Sequence, residues 1–135
     1  MATTQARTGS DRLSIGYLVA QAGVGVLWWA GLAASTTVRS WFEMLPEKHA
    51  VMDAFIFGDL VVIIVGSLLG AWAVRDRKAW ALPIVAFTAG GLVYPTLYLL
   101  AWVSFTGKGA ASLFAMVVPS TLTSWLAYQL FKSRR

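Results

Sequence analysis

The stretch FIFGDLVVIIVGSLLG, residues 55–70, places one carboxylate, Asp59, within a run that is otherwise almost wholly apolar. Such a run is long enough, with its flanks, to cross a bilayer, which requires about 20 apolar residues. An acid inside it is expensive and needs a protein-facing environment. The helical phase gives Asp59 one. At about 100° per residue, Gly66 and Gly70 both fall within about 20° of its line. Small residues four apart let helices approach closely in lipid, so this face is expected to meet protein. Val62, about 60° away in the opposite direction, is expected to lie off that seam.

Outward from this stretch the whole chain reads the same way. Hydrophobic residues make up 58% of the 135 and charged ones only 13%, a balance unlike that of a soluble domain of this size. Four spans are predicted, at about 13–34, 54–74, 80–104 and 112–131. The first run follows Arg7 and Arg12 and resembles a signal peptide, but it exceeds the usual h-region of about 7–15 residues and is read as a span. The chain is expected to be a single all-α membrane domain, an up-down four-helix bundle covering residues 1–135. Residues 1–12 are a polar leader to it, and 35–53 form the one sizeable loop. Trp41, Phe42, Met44 and Leu45 in that loop suit the headgroup region, and Pro46 ends the segment.

Charge gives the orientation. Arg7, Arg12, Arg75, Arg77, Lys78, Lys132, Arg134 and Arg135 fall on one side, against Arg39, Lys48 and Lys108 on the other. Both termini are therefore expected in the cytoplasm and the 35–53 loop outside, with the cell membrane as the expected location. The net charge of +5 sits in short clusters between apolar runs, which is the pattern of membrane flanks and not of a nucleic-acid face. Trp72, Trp80, Trp102 and Tyr128 lie near span ends as interfacial anchors. No cysteine is present, which excludes disulfides, thiolate metal sites and cysteine nucleophiles.

The same phase argument groups Gln21, Gly25 and Trp28 on span one. It groups Phe87, Gly90, Tyr94 and Tyr98 on span three, and Met116, Ser120, Thr123 and Ala127 on span four. These stripes are expected inside. Asp59, Trp28, Tyr94 and Tyr98 then share the outer half, Ser120 lies near the middle and Gln21 lies deeper. Those six residues are the predicted ligand-binding set. Gly66, Gly70, Gly90, Gly91, Pro95 and Pro119 are the predicted packing and kinking positions. Pro95 and Pro119 release the carbonyls of Gly91 and Ala115, for which Tyr94, Ser120, water or a ligand are candidate partners, unless local Ser/Thr bonds repair the kinks. Asp59 itself is read either as a ligand, proton or cation group or as an acid bonded to a Tyr hydroxyl or to the Trp28 indole. His49 with Glu47 and Asp53 lacks a second histidine and a helical metal spacing, so no metal or other cofactor is expected. Glu43 and Glu47, four apart, read as solvated loop charges.

The layout and the F-x-F-x-D-L pattern at Phe55, Phe57, Asp59 and Leu60 resemble the EXPERA family. That resemblance implies four spans, cytoplasmic termini, a long first external loop and an acidic pocket within the membrane. The family includes sterol isomerases and a ligand-binding receptor. The present chain has no acid in span one, and span two lacks the isomerases' histidine and paired glutamate, so their activity does not carry over.

Three function classes follow. The first is a bundle that binds a lipophilic or small cationic ligand around Asp59, with a membrane isomerase or cyclase as its catalytic variant. The second is an interaction subunit or homo-oligomer whose polar stripe serves packing. The third is an oligomeric proton-coupled transporter, disfavoured because the cytoplasmic half offers mainly Gln21, with Ser67 and Gln129 toward span ends. Membrane lipids are partners in every case, and nucleic acid in none.

Overall fold

The computed structural model describes residues 9–43 and 52–133. Met44, Leu45, Pro46, Glu47 and His49 lie outside the described residues, and so do Arg7, Lys48, Arg134 and Arg135. Helix α1 runs Gly9–Ala34 and a short α2 follows at Thr36–Phe42. Helix α3 is Phe55–Arg75, α4 is Ala81–Thr106 and α5 is Ala110–Lys132. The four long helices are each apolar enough to cross a membrane, and the chain is an all-helical integral membrane protein.

Each connection has a local cause. Ser35 breaks α1 from α2 by adopting extended backbone and accepting from Val38 N at 3.2 Å, which satisfies an orphan donor of α2. Between α4 and α5, Gly107 (φ 68°) and Gly109 (φ 85°) take the left-handed backbone that a side chain resists. The α3–α4 turn closes through Lys78 N to Ala73 O at 2.9 Å, with Trp72 and Trp80 edge-on 5.2 Å apart.

Two contacts fix the up-down arrangement. Arg77 of the α3–α4 turn lies 3.9 Å from Asp11 at the start of α1. At the opposite end, Ser112 Oγ donates to the carbonyl of Phe42 at 3.0 Å, joining α5 to the end of α2. The Lys/Arg count assigns the first of these ends to the cytoplasm. Single cysteines at Ser10, Lys108 and Ser133 test that assignment in a chain with no native thiol. The Lys108→Cys variant is expected to react only with an impermeant maleimide added outside; reaction only from the cytoplasmic side inverts the topology.

The two halves of the bundle are built differently. Toward the end that holds the α3–α4 turn, Leu18, Ala71, Ala73, Val74, Ala81, Val85 and Leu126 form one buried cluster. Gly70 opens the seam there, since a Cβ placed on it would stand only 3.1 Å from Val85 Cγ2 and 3.4 Å from Leu18 Cδ1. A Cβ placed on Gly66 would stand 2.5 Å from Thr88 Oγ1, and one on Gly91 would collide with the Val62 side chain. Gly66, Gly70 and Gly91 are thus seam residues. Gly90 is not, for it meets nothing within 4 Å and faces outward. Val62 also departs from expectation: it packs into the space left by Gly91 and belongs to the seam.

Helix α3 is not α-helical throughout. Residues Asp59–Val65 form a π-helical stretch. Its wider turn changes the phase assumed for a regular helix, so Asp59 turns toward α1 while Gly66 packs against α4. On α4 the expected inner stripe is the outer one: Phe87, Gly90, Tyr94 and Tyr98 are all exposed. The buried face consists of Ala81, Val85, Thr88, Ala89, Leu92 and Leu99, smaller and less aromatic groups that permit closer helix approach. The stripes on α1 and α5 face inward as the sequence suggests, with Gln21, Ser120 and Thr123 buried.

Candidate functional site in the outer half

The half of the bundle beneath α2, the one predicted to face outward, holds an open cavity of about 590 Å³. That lies within the range of small-molecule sites, roughly 300–1,000 Å³. Its lining is mainly apolar and aromatic, with contributions from every helix. Of the predicted ligand set, Asp59, Trp28, Tyr98 and Gln21 border it. Tyr94 does not; its side chain is 75% exposed on the outer face of α4. Ser120 is buried between helices without lining the cavity. Pro95 and Pro119 both border it, within helices that continue through them.

The floor is a hydrogen-bonded cluster. Gln21 Nε2 donates to Ser67 Oγ at 2.8 Å, and Thr123 Oγ1 donates to Gln21 Oε1 at 2.8 Å. The Tyr17 hydroxyl also bonds Gln21 Oε1, sits 2.8 Å from Thr123 Oγ1, and reaches the carbonyl of Pro119 at 3.2 Å. Every polar atom of the Gln21 amide is therefore engaged, which a carboxamide inside a membrane requires. Such interhelical bonds contribute about 0.6 kcal/mol each on average in bilayers, so the cluster fixes the register of α1, α3 and α5 more than it adds stability.

The prolines are accommodated locally. Thr96 Oγ1 donates to Leu92 O at 2.7 Å and Thr121 Oγ1 to Val117 O at 2.8 Å, bonds of the kind that settle a kinked helix. Neither Tyr94 nor Ser120 bonds the carbonyls of Gly91 or Ala115 among the described residues.

The roof comes from α2. Phe42 packs edge-on against Trp28 with ring centroids 4.3 Å apart, and its carbonyl is held by Ser112. Phe42 thus turns inward and borders the cavity, whereas its neighbour Trp41 stays exposed as an interfacial residue should. Glu43 follows it. The sequence reads this acid as solvated, yet its side chain is only 5% exposed and lines the cavity. Burial is possible because Arg39, one turn back, donates to its Oε1 at 2.8 Å and to Asp53 Oδ1 at 2.7 Å. Glu43 and then Asp53 hold the Arg39 guanidinium above its ordinary pKa, so it stays charged throughout.

Asp59 has a different setting. Its Oδ2 accepts from Trp29 Nε1 at 3.0 Å, and no basic side chain pairs with it among the described residues. The donor is Trp29 and not Trp28. Trp29 is one turn beyond Gly25, whose bare α-carbon admits Ile63 and Ile64 of α3, so the Gly25–Trp29 edge of α1 is the one facing Asp59. That glycine, four residues before an indole, was the available sequence signal. Tyr17 and Trp29 are site residues that sequence reasoning does not single out, and Ser67 and Glu43 are ones it reads as a span-end polar group and a solvated loop charge.

The arrangement defines a class: a four-span membrane bundle, packed solid at the end of the α3–α4 turn and hollow at the end covered by α2. No protein-family model, curated protein or solved structure matches the chain.

Proposed function

We propose that the protein binds a lipophilic ligand carrying a cationic centre, with Asp59 as counter-charge and Trp28, Trp29 and Tyr98 around it. The observation that carries this reading is the contrast between the two cavity carboxylates. Glu43 is matched by Arg39, whereas Asp59 has a single indole donor in an apolar chamber. A carboxylate so placed is best balanced by a cation brought from outside, and indole and phenol rings favour the same charge through their π faces. The test is calorimetric binding of dodecylamine and of dodecanol to the purified protein in detergent. The amine is expected to bind and raise the melting temperature, as any ligand selective for the folded state does. Equal binding of the two removes the reading.

A second reading, as an interaction subunit, is favoured by one surface. Gly16, Ala20, Gly23, Leu27, Ala30 and Ala34 follow the alternating four- and three-residue spacing of a helix seam, and all are exposed on α1. This spacing suits a partner membrane helix. Gly23→Leu is expected to leave a monomer unchanged but to dissociate an assembly, as read by size-exclusion chromatography with light scattering. An identical mass for both forms leaves the ligand-binding reading alone.

A further inference from the structure

We infer that the cavity exchanges its occupant sideways with the bilayer, through the gap between α1 and α5, and that the occupant is a single-chain amphiphile: head at Asp59, hydrocarbon toward the gap. This rests on the ligand-binding reading above and specifies where the ligand resides before it binds.

The argument proceeds by closing the other sides. Below, the Gln21–Ser67–Thr123–Tyr17 cluster and the packed core beneath it leave no room. Above, the end of α2 bridges from Trp28 on α1 to Ser112 on α5. Toward α3, Gly25 is in contact with Ile63 and Ile64; between α3 and α4, Val62 fills the space at Gly91. Between α4 and α5, which pack along their length, Thr96 Oγ1 reaches the carbonyl of Met116 at 3.4 Å. The remaining side lies between α1 and α5. The hydrogen bonds described across this side lie at the floor: Tyr17 to the carbonyl of Pro119 and to Thr123, and Thr123 to Gln21 Oε1. Helix α2, not a direct α1–α5 contact, joins the two at the top.

The residues at this gap have a double exposure. Val24, Phe114 and Val118 border the cavity and are 64%, 73% and 60% exposed, more than the other large exposed side chains that line it, Tyr98 at 46% and Phe55 at 39%. Their grouping on the facing edges of α1 and α5 marks the side on which the cavity communicates with the outside. All three sit within membrane spans, so the outside they face is hydrocarbon. A small soluble cation meets an apolar barrier at such an opening. An amphiphile already dissolved in the leaflet meets none, because the opening continues its own solvent. The chamber's chemistry is graded the same way, with Asp59 and the indoles on the α1–α3 side and the aliphatic groups Ala20, Val24 and Val118 toward the gap.

The register for a test follows from the floor. Gln21 lies level with Thr123, so one turn on Val24 comes level with the turn containing Val118. Val24→Cys and Val118→Cys, joined by a flexible bis-maleimide, place a bar across the gap in a chain that has no other thiol. Both positions are exposed, so the variant is expected to fold. The probe is a bromine-bearing dodecylamine delivered in phosphatidylcholine vesicles and followed by quenching of tryptophan fluorescence in stopped flow. Bridging is expected to slow both association and dissociation by about tenfold or more relative to the capped single-cysteine variants, the signature of a gate. Each single-cysteine variant capped with the same reagent supplies the reference. An unchanged association rate in the bridged protein overturns the lateral route. Loss of the probe's advantage over dodecanol in the unbridged protein instead overturns the underlying ligand assignment, so the two failures are distinguishable.

Discussion

Asp59→Asn is expected to weaken dodecylamine binding about ten- to hundredfold while leaving dodecanol unaffected. A hydrogen bond to a charged group is worth about 1.5–3 kcal/mol, and about 1.4 kcal/mol is a tenfold change in affinity. Asparagine has the same shape and retains an oxygen for the Trp29 indole, whose nitrogen lies 3.0 Å from Oδ2. It loses only the charge. The bundle should therefore keep its melting temperature to within the effect of about 1 kcal/mol that one hydrogen bond contributes. The wild-type affinity for the amine should fall as pH is lowered through the titration of Asp59, because the protonated acid no longer opposes the cation. The Asn variant should show no such dependence. Calorimetry at several pH values, with dodecanol as the neutral reference, reads all of this. A variant that binds the amine as tightly as the parent, with the same pH profile, makes Asp59 a structural partner of Trp29 and nothing more.

The second large effect is on stability. Gly66→Ala is expected to lower stability by about 1–3 kcal/mol, the usual cost of forcing extra atoms into a packed seam. Gly66→Leu should go further and prevent assembly of the bundle. The Cβ of either residue would stand 2.5 Å from Thr88 Oγ1. Thr88 has no easy retreat, since it is fully buried, is β-branched on a helix, and donates to Ile84 O at 3.0 Å. The appropriate comparison is Val61→Leu, at an exposed site on the same helix, which should change stability by no more than about 0.5 kcal/mol. Val62→Leu is unsuitable because Val62 itself packs against Gly91. Thermal unfolding in dodecyl maltoside decides the matter, and equal melting of Gly66→Ala and Val61→Leu would mean that α3 and α4 do not meet at this point.

Four spans, their alternation and the hidden acid were legible because lipid demands long apolar runs and penalises a charge such as Asp59. The inward faces were legible only where a polar group marked them, as at Gln21 on α1 and Thr123 on α5. On α4 the inside and outside are equally apolar, so the pattern that sorts a soluble helix loses its contrast. The phase argument places Tyr94 inward with Gly90 and Tyr98, yet Thr88, Ala89 and Leu92 form the packed face. The burial of Glu43 was unreadable for another reason. It depends on contacts far apart in the chain, Phe42 with Trp28 and Phe42 with Ser112, which bring the end of α2 over the bundle. The choice of Trp29 over Trp28 follows from the local winding of α3, and nothing in the string DLVVIIV announces a π turn.

That widened stretch, Asp59–Val65, has a consequence for how such a protein changes over generations. In a continuous α-helix each inserted or deleted residue swings everything beyond it by about 100° and shifts it by 1.5 Å. A π-helical stretch absorbs one such residue as a local bulge, and bulges of this kind recur where proteins do chemistry or binding. Below it, Gly66 and Gly70 stay locked to α4 and α1; above it, Asp59 keeps its own heading. The helix is thereby divided into an anchored segment and a steerable one. A residue gained or lost there re-aims the acid without disturbing the half of the bundle that holds the fold together.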